Sequence, residues 1–145
     1  MNCTINTTLK HTILLLTALL FILQTAKSQT ADKIIGKYWS PKKDGKVEIY
    51  KVADKYFGKI IWGKTQLKDT KNPKPELRTR EVIGMVFLTN FKYNNEQYQD
   101  GEIYDPLTGK TYSCKMWLEN QNLKVRGFIG ISLLGRTEIF ERIKL

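Results

Sequence analysis

Three carboxylates, Glu102, Asp105 and Glu138, are the residues of this 145-residue chain whose types suit bond-breaking chemistry. Two carboxyl groups held at a suitable separation across neighbouring strands cleave glycosidic bonds, one as the acid and the other as base or nucleophile. Each has a plainer use. Asp105 precedes Pro106 in a tight loop, where an aspartate bonds its own backbone, and Glu138 stands near Arg136 and Arg142, an arrangement for ion pairs on a sheet. These plainer uses outweigh catalysis, so a carboxylate-dependent hydrolase is the least favoured reading. Asp100, Glu102 and Asp105 also offer oxygens to calcium, but their spacing follows no recognised loop and no metal is expected.

Arginines carry a different chemistry. Arg126 and Arg136 fall in the last third of the chain, and an arginine turned into a barrel interior must be paired or must meet an anion. With Trp62, Tyr104 and Tyr112 nearby, inward arginines would receive a small molecule with an apolar body and an anionic end. Turned outward, they would form surface pairs with Glu138 and Glu102. Alternation fixes these faces only loosely, and both arrangements stand. The ligand-binding candidates are therefore Trp62, Arg78, Tyr104, Asp105, Tyr112, Arg126 and Arg136.

The N-terminus decides which other chemistries are open. Lys10 and His11 precede an apolar run, Thr12 to Leu23, and Ala26 and Ser28 place small side chains just before Gln29. This is the layout of a secretory signal peptide over residues 1–28. The apolar run is too short to span a bilayer, which takes about 20 residues, and Cys3 lies on the wrong side of it for lipid attachment. Cleavage removes His11, the one histidine, and Cys3, one of two cysteines. The remaining piece then has no Ser-His-Asp or Cys-His mechanism, no zinc site and no internal disulfide. Cys114 shares a face with Tyr112, Met116 and Leu118 and reads as packing. The expected location is periplasmic or extracellular.

About 117 residues would remain, enough for one core, and the net charge would fall from +10 to +8. Such a balance can draw phosphate, anionic lipid or acidic polysaccharide. The lysines are scattered, however (Lys37, Lys42, Lys43, Lys46, Lys51, Lys55, Lys59), as on a solvated face. No stacking platform for nucleic acid is readable.

After a tail at 29–33, short β-rich runs recur between turn residues, which predicts one all-β domain over 34–145. Strands are expected at Ile34 to Ser40, Lys46 to Val52, Tyr56 to Trp62, Arg80 to Lys92, Gly101 to Tyr104, Lys110 to Glu119, Leu123 to Gly130 and Thr137 to Ile143. Short connections such as Ala53 to Lys55 and Asp105 to Gly109 favour antiparallel neighbours. Eight such strands form an up-and-down meander, and closure into a barrel removes its edges. Alternation puts Tyr56, Ile60 and Trp62 on one face, and Tyr112, Cys114, Met116 and Leu118 on an inward one. The 17 residues Gly63 to Thr79 are long for a connection, a candidate lid or a disordered stretch.

The stretches Gly101 to Tyr112, Leu123 to Gly130 and Gly135-Arg136-Thr137, with Gly36, Asn72-Pro73 and Arg78, resemble the domain-of-unknown-function 2147 family from about Ile34 to Ile143. The resemblance implies a small exported bacterial protein with a calycin-like barrel, similar to lipocalins or avidins, with no established activity and no catalytic residues. Tyr38 and Phe140 stand where the family often has Trp. Barrels of this group lay a basic side chain of the last strand across an aromatic of the first, here Arg142 or Arg136 on Trp39 or Tyr38.

The expected function is non-enzymatic, without a cofactor: the barrel binds a small ligand or an envelope component. The alternative is an interaction barrel, its interior filled by Tyr56, Trp62, Tyr112, Met116 and Phe87 or Met85. Its apolar, uncharged stretch from Gly127 to Gly135 would dock a protein partner or a second copy.

Overall fold

The computed structural model describes His11 and residues 30–144. The leader expected over 1–28 lies, His11 apart, outside the described residues. Within the unit Ile34–Leu145, eight antiparallel strands close in sequence order into a barrel. They are β1 (Gly36–Trp39), β2 (Gly45–Val52), β3 (Lys55–Gly63), β4 (Val86–Asn94), β5 (Gln97–Asp105), β6 (Lys110–Glu119), β7 (Asn122–Phe128) and β8 (Arg136–Arg142). Short 3-10 turns lie at Asp32–Ile34, Pro75–Leu77 and Ser132–Leu134.

One end of the barrel is made of two-residue turns. Asn95-Glu96 and Asn120-Gln121 both have positive φ at each central residue, the hairpin geometry that matches strand twist. The other end carries the longer connections, 40–44, 64–85, 106–109 and 129–135.

Three strand expectations change. β4 begins at Val86 rather than Arg80, because Arg80 and Val82 pair with the long connection itself: Asp69 N–H donates to Arg80 O and Val82 N–H to Leu67 O. The connection therefore runs from 64 to 85, and it is folded. β5 begins at Gln97 rather than Gly101. A bulge between Tyr98 and Gly101, with Asp100 at φ 60°, interrupts the period of two that would have revealed its first half.

Trp62 is turned outward. Lys46 pairs with Trp62 but Val47 with Ile60, so Ile61 is an extra residue and the face flips across it. Trp62 stands on the outer wall at 41% exposure, edge-on to Trp39 at 6.0 Å, with the Lys46 ammonium over both rings. Tyr56 and Ile60 keep the inward face.

The two-residue-turn end is packed solid. Ile34, Tyr38, Ile49, Tyr56, Phe91, Tyr98, Met116 and Leu123 are almost wholly buried there. The Tyr56 and Tyr98 rings meet edge to face at 4.9 Å. Tyr38 hydroxyl donates to Ile34 O at 2.7 Å. Arg142 lies across the Tyr38 ring, its guanidinium carbon 4.8 Å from the centroid, and donates to the Tyr38 hydroxyl, to Ile35 O and to Gln121 O. Of the pairings the resemblance implied, Arg142 with Tyr38 is the one formed. Burial pushes the Tyr38 phenol up to about 12, against the opposing pull of Arg142. Arg142→Ala leaves these acceptors unmatched and should lower stability by about 2 kcal/mol. Urea unfolding checks this, and an unchanged midpoint contradicts it.

Candidate functional site: the open end of the barrel

Burial changes along the barrel axis. Cross-strand partners share a face, so the register Leu88–Ile103–Tyr112, Cys114–Gly127–Arg136 and Met116–Val125–Glu138 follows the inner wall around β4 to β8. Leu88, Cys114, Met116 and Val125 on that wall are buried, as is Val47 on β2. Ile60, Ile103, Tyr112, Gly127 and Glu138, towards the long loops, are only half-buried. The interior is thus most tightly buried towards the two-residue turns and less so towards the long loops, and the less buried half is the candidate cup. Cys114 belongs to the floor: burial, only partly offset by a backbone hydrogen bond at Arg126, pushes its thiol up to about 12. A thiol held that high is unreactive packing.

A solvent-exposed ion pair stands at the rim, with 87% of the Arg136 side chain and 38% of the Glu138 side chain exposed. Arg136 Nε lies 2.6 Å from Glu138 Oε1, with Arg136 at the rim and Glu138 below it. β1 meets β8 at only two residue pairs, Tyr38–Arg142 and Trp39–Glu141, so β8 continues alone past the end of β1 beside this pair. Of the sequence candidates, Tyr112 is half-buried on the inner wall and Arg136 is exposed at its rim.

The others serve elsewhere. Leu123 and Val125 are buried, so Arg126 between Val125 and Gly127 faces out. There it donates to Ser132 O at 2.7 Å, Leu133 O at 2.9 Å and Thr137 Oγ1 at 2.7 Å. Asp105 is committed to its turn, accepting from Leu107 N–H at 2.9 Å and from the Thr108 hydroxyl at 2.8 Å. Glu102 pairs in register with Thr89 and Ser113 on the outer wall. The three carboxylates therefore do not converge. Among the described residues, no three His, Cys, Asp or Glu side chains gather as metal ligands.

Tyr104 and Arg78 belong to a network built on three residues that sequence reasoning missed: Asp69, Asn72 and Arg80. The Asp69 carboxylate, fully buried, accepts from Tyr104 hydroxyl at 2.6 Å, Asn72 Nδ2 at 2.6 Å and Arg80 Nη2 at 2.8 Å. Arg78 Nε donates to Asn72 O at 2.8 Å. Burial alone would raise the Asp69 carboxyl, but these hydrogen bonds and the Arg80 charge outweigh it and hold it below the ordinary carboxylate range. Burial and the bond to Asp69 raise the Tyr104 phenol. Lys71 O sits where a Cβ on Gly109 would be, so the connection lies directly on the β5–β6 turn. Asn72-Pro73 and Arg78 in the family resemblance, with Tyr104 among the candidates, were the sequence signals pointing here. The expected lid is a strap tied to the barrel.

An eight-stranded antiparallel barrel closed in sequence order is a lipocalin-like architecture. The chain belongs to the family described as "Uncharacterized protein conserved in bacteria (DUF2147)", which matches residues 36–142. Among solved structures it is similar to protein HP1028 from Helicobacter pylori, described as belonging to the lipocalin family. The two are 25% identical, with a TM-score of 0.69 over 77% of this chain and 83% of that one. No curated protein matches the chain.

The strap should be acid-sensitive. Because the folded-state Asp69 value is depressed, its contribution is complete above the ordinary carboxylate range and is lost as pH falls through the lowered value. Asp69→Asn should remove it at neutral pH, costing about 2–3 kcal/mol, and hydrogen exchange should rise over 64–85 ahead of the strands. Exchange there that follows the strands at every pH contradicts this.

Proposed function

We propose that this is an exported, non-enzymatic carrier or binder. It takes a small molecule, or an envelope component, with an apolar body into the cup and a polar or ionised end towards the Arg136–Glu138 pair. The observation that carries the reading is the change in burial along one inner wall, from closed-packed Met116 and Leu123 to half-buried Ile103 and Tyr112. Apolar walls with a few placed polar groups are what small-molecule sites require. The likeness to a protein described as a lipocalin supports a binding barrel.

Several features speak against turnover. Asp105 and Glu138 are engaged in a turn and an ion pair, Cys114 is buried with a raised thiol, and the exported piece would contain no histidine. Export itself rests on the layout of residues 1–28. Sequencing the N-terminus of secreted protein should give a start at Gln29, and retention of His11 would contradict it.

Gly127 is the position that tests the cup. A Cβ there would already stand 3.3 Å from Ile103 Cγ2, tighter than ordinary contact, and 3.8 Å from Tyr112 Cβ, so a larger side chain must displace these neighbours and intrude on the interior. The apolar probe N-phenyl-1-naphthylamine should bind with enhanced fluorescence, and Gly127→Leu should weaken it by about tenfold or more. Tyr112→Ala, which widens the cup, should retain it. Undiminished probe binding by folded Gly127→Leu overturns the assignment.

A further inference from the structure

We propose that the open end of the barrel docks on an anionic lipid surface, with the 129–134 turn entering the boundary between headgroups and acyl chains. The turn carries Ile129, Ile131, Leu133 and Leu134 at 78%, 60%, 81% and 79% exposure, and no charged side chain occurs from Gly127 to Gly135. Four large aliphatics projecting together from a soluble barrel are costly unless something covers them.

The turn is held in this outward form. Arg126 reaches from β7 and bonds Ser132 O and Leu133 O, while Leu134 N–H donates to Ile131 O and Gly135 N–H to Ser132 O. These bonds satisfy the backbone of the turn from within, so the side chains are left pointing away. Leu107, on the neighbouring β5–β6 turn at the same end, is 69% exposed.

Charge identifies the occupant. The connections at this end, 40–44, 64–85, 106–109 and 129–135, hold eight Lys or Arg against four Asp or Glu. One of those four, Asp69, is buried against Arg80. The turns at the opposite end, 53–54, 95–96 and 120–121, hold two acids and no base. An aliphatic tip at a net-basic end of the barrel matches a bilayer with anionic headgroups, which binds through buried apolar area and electrostatic attraction together. A second copy fits poorly, because two open ends facing each other would oppose like charges. The proposal rests on the outer loops, and the cup can fail without affecting it.

The test uses Leu133→Trp in the full chain, with vesicles of equal parts phosphatidylcholine and phosphatidylglycerol. Relative to the wild type, the added emission should shift to the blue and be quenched by brominated acyl chains. Neutral phosphatidylcholine vesicles should bind at least about tenfold more weakly. Leu133→Asp/Leu134→Asp should reduce anionic-vesicle binding by a similar factor with an unchanged melting temperature, since both side chains are solvent-exposed. Emission at 133 that ignores anionic vesicles overturns the proposal. So does emission that shifts with protein concentration alone, which would make the turn a protein interface.

Discussion

Closure of the barrel depends on a seam only two residue pairs long, between a four-residue first strand and the last. Backbone pairing of that length is weak by itself. Arg142 makes it sufficient by spanning the Tyr38 ring, taking the Tyr38 hydroxyl and bonding carbonyls at Ile35 and Gln121. One side chain thus joins β8, the start of β1 and the β6–β7 turn. The tyrosines and aliphatics behind it can then pack to full density, so the barrel interior at this end is a core.

A seam this short has a consequence at the opposite end. β8 runs on past the end of β1, and its inner face there carries Glu138 and Arg136 instead of apolar residues. The less buried half of the interior is on this side. Its rim is defined by the strap on Asp69 on one side and by the Arg126-braced turn on another. In both, a charged side chain organises a loop by satisfying backbone or buried polar groups. Neither loop needs a helix or a disulfide to be ordered.

Much of this was legible in the sequence. Turn residues and alternation predicted eight strands, their order and the inward face of β6, and the resemblance anticipated Arg142 on a first-strand aromatic. The errors arose where the period of two breaks. A single extra residue at Ile61 moved Trp62 to the outer wall, and the bulge before Gly101 hid the start of β5. Asp69, Asn72, Arg80 and Tyr104 form one unit through bonds that span 3 to 35 residues of chain, with no periodicity to announce it. Arg126 was ambiguous because a one-residue change of phase exchanges the faces. The burial of Leu123 and Val125 settles it.

The central claim is a binding cup above a solid core, and methyl-resolved NMR during titration with an apolar fluorophore tests it most directly. Methyl resonances of Ile60, Ile103 and Val125 should move together and saturate, while those of Ile49 and Leu123 stay fixed. Shifts confined to Ile129, Ile131, Leu133 and Leu134, or no saturable shift within the barrel, would contradict the account.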